Sequence, residues 1–78
     1  MVTGGYSGIG LETVRGLKDA GARVIVPARR TDVAKTELSG IVEERDILEM
    51  NLADPASVKR FVNEFQDSGT SLDILINN

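Results

Sequence analysis

The chain has 78 residues, with 9 Lys and Arg against 12 Asp and Glu, for a net charge of −3. That length allows one small domain at most, and such a chain buries only about 60% of the surface it exposes when unfolded. The acidic balance argues against a nucleic-acid partner, no apolar run approaches the roughly 20 residues of a membrane helix, and the absence of Cys and His removes disulfides, thiolate metal sites and an imidazole base.

The amino terminus has no basic region followed by an apolar stretch and a small-residue cleavage site, so it does not read as a signal peptide. A cysteine-free chain suits a reducing compartment, and a cytoplasmic protein is expected. The acidic residues Glu43, Glu44, Asp46 and Glu49 match no metal-loop spacing, so they read as a solvated surface, and no metal ligand is assigned.

In chain order, Met1-Val2-Thr3 reads as the tail of a first strand whose front is missing. The turn Thr3-Gly4-Gly5-Tyr6-Ser7-Gly8-Ile9-Gly10 follows. A helix is expected from Gly8 to about Ala20, with Gly10, Thr13, Val14 and Leu17 on one face at i, i+3, i+4 and i+7. Gly21 supplies its stop. Arg23-Val24-Ile25-Val26 reads as a second strand, with the continuous apolar run of a parallel strand covered on both faces. Pro27 ends it or sits at its edge.

A short helix is predicted from Thr31 to Leu38, capped by Thr31 or Asp32. Asp46 to Met50 is a predicted third strand. Asp54-Pro55 supplies an N-cap and a first helical proline, ahead of the stripe Val58, Phe61, Val62 and Phe65. Leu72 to Ile76 is a predicted fourth strand. Strands alternating with helices imply a parallel sheet with right-handed crossovers.

The chemistry sits in the glycine-rich turn. Between a strand and a helix, such a turn lets backbone approach a pyrophosphate and aims helix N–H groups at it. Gly4 serves the tight turn, Gly8 leaves room for phosphates, and Gly10 allows close helix–strand packing. The spacing is G-x-x-x-G-x-G, which differs from the commoner G-x-G-x-x-G.

Thr3-Gly4-Gly5-Tyr6-Ser7-Gly8-Ile9-Gly10 resembles the T-G-x-x-x-G-I-G signature of the short-chain dehydrogenase/reductase family. Val24 to Arg30 resembles that family's second strand and cofactor-selecting loop. Met50-Asn51-Leu52-Ala53-Asp54-Pro55 resembles its adenine-contacting segment, and Leu72 to Asn78 resembles its fourth strand running into the N-N-A-G motif. The resemblance implies an α/β fold: the N-terminal half of a Rossmann-type doubly wound parallel sheet, strand order 3-2-1-4, truncated. Residues 1–78 then form a partial dinucleotide-binding domain, incomplete at the C-terminus and at the N-terminus.

Carried over position by position, the resemblance implies a cofactor site built from Gly4, Tyr6, Ser7, Gly8, Ile9, Gly10, Arg29, Asn51, Leu52, Asn77 and Asn78. Asn51 stands where the family commonly has Asp against the adenine amino group. A preference for NAD usually needs Asp or Glu about 20 residues past the glycines. Ala28 occupies that place, and Arg29 next to it suits a 2′-phosphate, with Arg30 adding to the field. NADP is therefore favoured, with NAD as the alternative. No basic residue stands at Ser7, where many NADP-preferring relatives carry one.

The family transfers hydride between nicotinamide and a carbonyl or alcohol. Its catalytic Ser and Tyr-x-x-x-Lys lie beyond the N-N-A-G motif, so the chain holds no catalytic residue. The expected function is the cofactor-binding part of an NAD(P)(H)-dependent oxidoreductase. Its partners are a dinucleotide and, for the full-length parent only, a small carbonyl or alcohol substrate and a homo-oligomer. The alternative is a truncated, non-catalytic nucleotide-binding module or an inert fragment.

Overall fold

A computed structural model of the chain describes residues 1–6 and 8–76. Three helices and two named strands follow one another: α1 (Gly8–Asp19), β1 (Val26–Ala28), α2 (Thr31–Glu37), a 3-10 turn (Glu44–Asp46), β2 (Ile47–Glu49) and α3 (Pro55–Asp67). β1 and β2 pair in parallel, with Val26 opposite Ile47, Pro27 opposite Leu48 and Ala28 opposite Glu49.

The first segment lies on the other side of this pair. The Val2 N–H donates to the Ile25 carbonyl at 2.9 Å, and Val2 forms a parallel bridge with Ile76. The four extended segments therefore stand side by side in the order third, second, first, fourth, as expected for half of a Rossmann-type sheet.

One core cluster joins Val2, Val24, Val26 and Ala28 of the sheet to Val14 of α1 and to Ala34, Leu38 and Val42 in and after α2. Alternation along a strand sends Ile25 to the opposite face. There α3 supplies Phe61, buried, and Phe65, whose rings lie 6.3 Å apart. The expected coverage of this strand on both faces is met: Val24, Ile25 and Val26 are all buried.

Helix α1 keeps its predicted limits and its buried face at Gly10 and Val14. It closes with Gly21 at φ 91°. The Ala22 N–H donates to the Leu17 carbonyl and the Gly21 N–H to the Lys18 carbonyl, the paired bonds of a Schellman stop. Helix α3 begins as the sequence indicates: the Asp54 carboxylate accepts from the Ala56 N–H at 3.0 Å, and Pro55 takes the first turn. Asp54→Ala removes that acceptor and is expected to cost about 1 kcal/mol of stability, read as a lowered midpoint in urea, whereas Asp54→Ser should recover most of it.

Five expectations are corrected. The second strand is displaced toward its carboxyl end, with Pro27 inside it. The Ala28 carbonyl accepts from the Met50 N–H, so Val26 and Ala28 direct their hydrogen-bonding groups at β2, while the missing N–H of Pro27 faces the Met1–Thr3 segment. Pro27 therefore has no proton to donate to the ladder on that side.

Helix α2 is capped by Arg30, with no side-chain bond at the cap. The Ala34 N–H already reaches the Arg30 carbonyl, which places Thr31 and Asp32 inside the helix. The third strand starts at Ile47, since Asp46 closes the 3-10 turn.

Asp46 is also buried rather than solvated. Its carboxylate accepts from Arg23 Nη2 at 2.8 Å and Nε at 3.2 Å, and this hydrogen bond, with the attached charge, raises the Arg23 pKa above its usual value.

Among the described residues the fourth segment pairs only as a bridge at Ile76, and Leu72, Ile74 and Leu75 are exposed. Met1 to Thr3 offer it few partners. Its described bonds are Met1 ammonium to Ile74 carbonyl, Ile76 N–H to Met1 carbonyl and two from Thr3 to the Ile76 carbonyl. An open gap runs from Met1 between the Ala22–Ile25 and Thr70–Ile74 stretches, which leaves these apolar side chains without a neighbouring strand on that side.

Candidate functional site

Each extended segment ends at the same edge of the sheet. Thr3, Gly4 and Tyr6 follow the first segment, Pro27 and Arg29 lie at the end of β1, and Met50, Asn51, Leu52 and Ala53 follow β2. Together they line one open cleft of about 430 Å³. The carboxyl ends of parallel strands are where open α/β sheets take their ligands, and this volume lies in the range of small-molecule sites.

The turn carries Gly4 at φ 64° and Gly8 at φ 55°. A side chain at Gly8 would be strained by that backbone, yet a Cβ there would meet nothing within 4 Å among the described residues beyond its chain neighbours. Helix α1 starts at Gly8 and has no acidic residue in its first turn, so no carboxylate of that turn offsets the positive end of its dipole. Ile9 stands 80% exposed beside it.

A close approach of the turn to the helix is made at Gly5, which the sequence did not single out. A Cβ at Gly5 would lie 2.8 Å from Val14 Cγ2 and 3.3 Å from the Val2 carbonyl oxygen. Gly10 is buried on the α1 face. Gly5 was legible only as one more glycine of the turn; which of them meets the helix depends on the path of the loop.

Arg29 is exposed and has no hydrogen bond or ion pair among the described residues, whereas Arg30 faces Asp32 at 3.8 Å. Ala28 is buried and offers the cleft nothing. No Asp or Glu is among the described residues lining it. Arg29 is thus the cation of this cleft, and Arg30 contributes only at longer range.

Asn51 is held on both sides. Its N–H donates to Ser57 Oγ at 2.9 Å and its Oδ1 accepts from the Ala53 N–H at 3.0 Å. The turn role fixes the amide, while the second lone pair of Oδ1 and the Nδ2 donors stay open to a ligand. Ser57, buried at the start of α3, is a positioning residue that the sequence reading missed; its signal is a serine in the first turn after Asp54-Pro55. Leu52, 75% exposed, stands next to Asn51 as an apolar flank.

The structure therefore brings Gly4, Tyr6, Arg29, Asn51 and Leu52 to one cleft, with Gly8, Ile9 and Gly10 at the adjoining helix start. Ser7, Asn77 and Asn78 lie outside the described residues. No group of acidic side chains able to hold a metal occurs among the described residues, and no helix among them is long and apolar enough to cross a membrane.

This donor set fits a dinucleotide. Backbone N–H groups and an uncancelled helix start suit a pyrophosphate, an amide and an apolar flank suit a purine, and an unpaired guanidinium suits a further phosphate.

Comparison with known proteins gives the same direction. The family model described as short chain dehydrogenase matches residues 1–78. The chain is 40% identical to "Short-chain dehydrogenase TIC 32 B, chloroplastic" of Brassica napus, covering all of this chain and 26% of that protein. It is 36% identical to "Protochlorophyllide reductase, chloroplastic" of Cucumis sativus, covering all of this chain and 21% of that protein. It is also 36% identical to "Polyprenol dehydrogenase" of Homo sapiens, again over all of this chain and 25% of that protein. The chain thus spans about a quarter of the length of the curated relatives it matches. No solved structure matches it.

Proposed function

Because this chain belongs to the short-chain dehydrogenase family, we propose that it is the cofactor-binding part of an NAD(P)(H)-dependent oxidoreductase and that its cleft prefers NADP(H). When bound, the nicotinamide supplies or accepts the hydride exchanged with a carbonyl or alcohol. The residues of this chain bind and orient. Gly4, Gly8 and Gly10 bring backbone and the start of α1 to the pyrophosphate, with Ser7 and Ile9 beside them. Asn51 and Leu52 receive the adenine, and Tyr6 and Arg29 flank its ribose. Asn77 and Asn78 serve the nicotinamide end of the strand edge.

The observation that carries the preference for NADP(H) is the pairing of a buried Ala28 with an exposed, unpaired Arg29 at the cleft. A carboxylate at position 28 would bond a ribose 2′-hydroxyl and repel a 2′-phosphate. Alanine does neither, and a free guanidinium can make two parallel bonds to a phosphate.

The reading is tested by equilibrium titration of the unaltered chain with NADPH and with NADH. Tighter binding of NADPH by roughly ten-fold or more is expected, the order of one charge-assisted interaction. Equal affinities would overturn the preference while leaving dinucleotide binding in place.

A further inference from the structure

We propose that the gap beside Met1 is a docking slot for the carboxyl-terminal tail of another polypeptide, which enters as an extended aliphatic strand parallel to its neighbours and ends against the Met1 ammonium. The slot lies at the opposite end of the strands from the cleft, so the inference does not depend on the cofactor reading. Its walls have the form of a missing strand. The Ala22–Ile25 stretch stands on one side and the Thr70–Ile74 stretch on the other, with Leu17 of α1 and Phe65 of α3 lining a space of about 270 Å³ between them. The two helices cover opposite faces of the sheet, and a strand sends its side chains alternately to those faces. Aliphatic residues of either parity therefore find an apolar neighbour.

The backbone of the walls specifies a strand rather than any apolar ligand. The Val2 N–H donates to the Ile25 carbonyl and the Met1 nitrogen to the Ile74 carbonyl, each at 2.9 Å. Along an extended chain the N–H and C=O of one residue serve the same neighbouring strand, so the Ile25 and Ile74 N–H groups face the slot. Neither has a hydrogen bond among the described residues, and the Arg23 and Leu72 carbonyls, two residues back along the same walls, have none either. An incoming strand satisfies all four groups, its carbonyls accepting from Ile25 and Ile74 and its N–H groups donating to Arg23 and Leu72. A ligand without a peptide backbone would leave them bare.

Met1 closes the slot. Its ammonium makes no ion pair among the described residues, and burial lowers its pKa below the usual value. Of the charged side chains on the walls, Arg23 is held by Asp46 and Asp73 is exposed. A strand running parallel to its neighbours points its carboxyl end at Met1, where a terminal carboxylate meets an uncompensated cation. An internal segment would have to leave the sheet at that point, so a chain terminus is the occupant.

The test is titration of the ¹⁵N-labelled chain with a synthetic peptide: a run of Val and Ile behind two lysines for solubility, acetylated at its amino end and free at its carboxyl end. Saturable shifts are expected across Ala22–Ile25 and Thr70–Ile76, with a dissociation constant of about 1 mM or tighter. The Ile25 and Ile74 amides should gain protection from hydrogen exchange, and the Arg29 and Asn51 amides should stay in place. The same peptide N-methylated along its run should not bind, and its carboxyl-terminal amide should bind roughly ten-fold more weakly, the order of one charge-assisted contact. Sedimentation should show one peptide on a monomeric chain. Equal binding by the N-methylated peptide would make the gap an apolar pocket, and equal binding by the amide would remove the role of the ammonium. The same shifts appearing without peptide, as the chain is concentrated, would assign the slot to a second copy. Any of these results, or no saturable shift at millimolar peptide, would overturn the proposal.

Discussion

Arg29→Ala is expected to weaken NADPH binding roughly ten- to a hundred-fold, the span of a charge-assisted bidentate contact, and to change NADH binding little. The asymmetry follows from where the residue stands. Arg29 lines the cleft at the end of β1 and makes no ion pair among the described residues, so its loss removes no internal contact. Arg30 does not substitute for it, being turned toward Asp32. Arg29→Lys should retain part of the affinity, since an ammonium keeps the charge and loses the planar fork. Parallel titrations with both cofactors decide the matter; equal losses for NADPH and NADH would remove the 2′-phosphate role. The effect should shrink with added salt, because the group is exposed.

Gly5→Ala is expected to destabilise the fold by about 1–3 kcal/mol, as overpacking of a tight contact does. Gly5 does not adopt a positive φ, so the backbone itself would accept alanine. The added methyl would instead stand 2.8 Å from Val14 Cγ2, with the Val2 carbonyl 3.3 Å away. Neither neighbour yields easily, since Val2 and Val14 are fully buried in the core cluster.

The companion change Val14→Ala removes the methyl that would be struck. It should cost on the order of 2 kcal/mol alone but less in the presence of Gly5→Ala, so the pair should fall short of the sum of its parts. Urea unfolding of the four chains in this cycle measures that coupling. Full additivity would show that Gly5 is not the close-packing position.

Much of this fold was legible because local rules and tertiary structure agree. Asp54-Pro55 caps α3 where the chain indicates, and Gly21 stops α1. The apolar run at Val24 to Val26 is covered on both faces. The glycine-rich turn, Arg29 and Asn51 could be placed at one edge because strand–helix alternation puts the carboxyl ends of all strands there.

The parts that could not be read depend on partners distant in sequence. Asp46 looks like its acidic neighbours until Arg23, 23 residues away, is found against it. An apolar run reports burial without saying which residues meet a neighbouring strand. The strand thus shifts to Val26–Ala28, where β2 pairs with it, and Leu72 to Leu75 stay exposed where the partner segment offers few hydrogen bonds. Gly5 looks like any other glycine of the turn in the sequence, and only the path of the turn shows that it meets Val14. The double role of Asn51, as turn residue and as cleft residue, needs Ser57 and Ala53 in place before it can be seen.

The most direct test of the central claim is an amide shift map of the ¹⁵N-labelled chain titrated with NADPH. The account predicts that the shifts gather at Thr3 to Gly10, at Arg29 and at Met50 to Ala53, the two cleft walls and the start of α1. Saturable shifts confined to other surfaces, or none at millimolar cofactor, would contradict it.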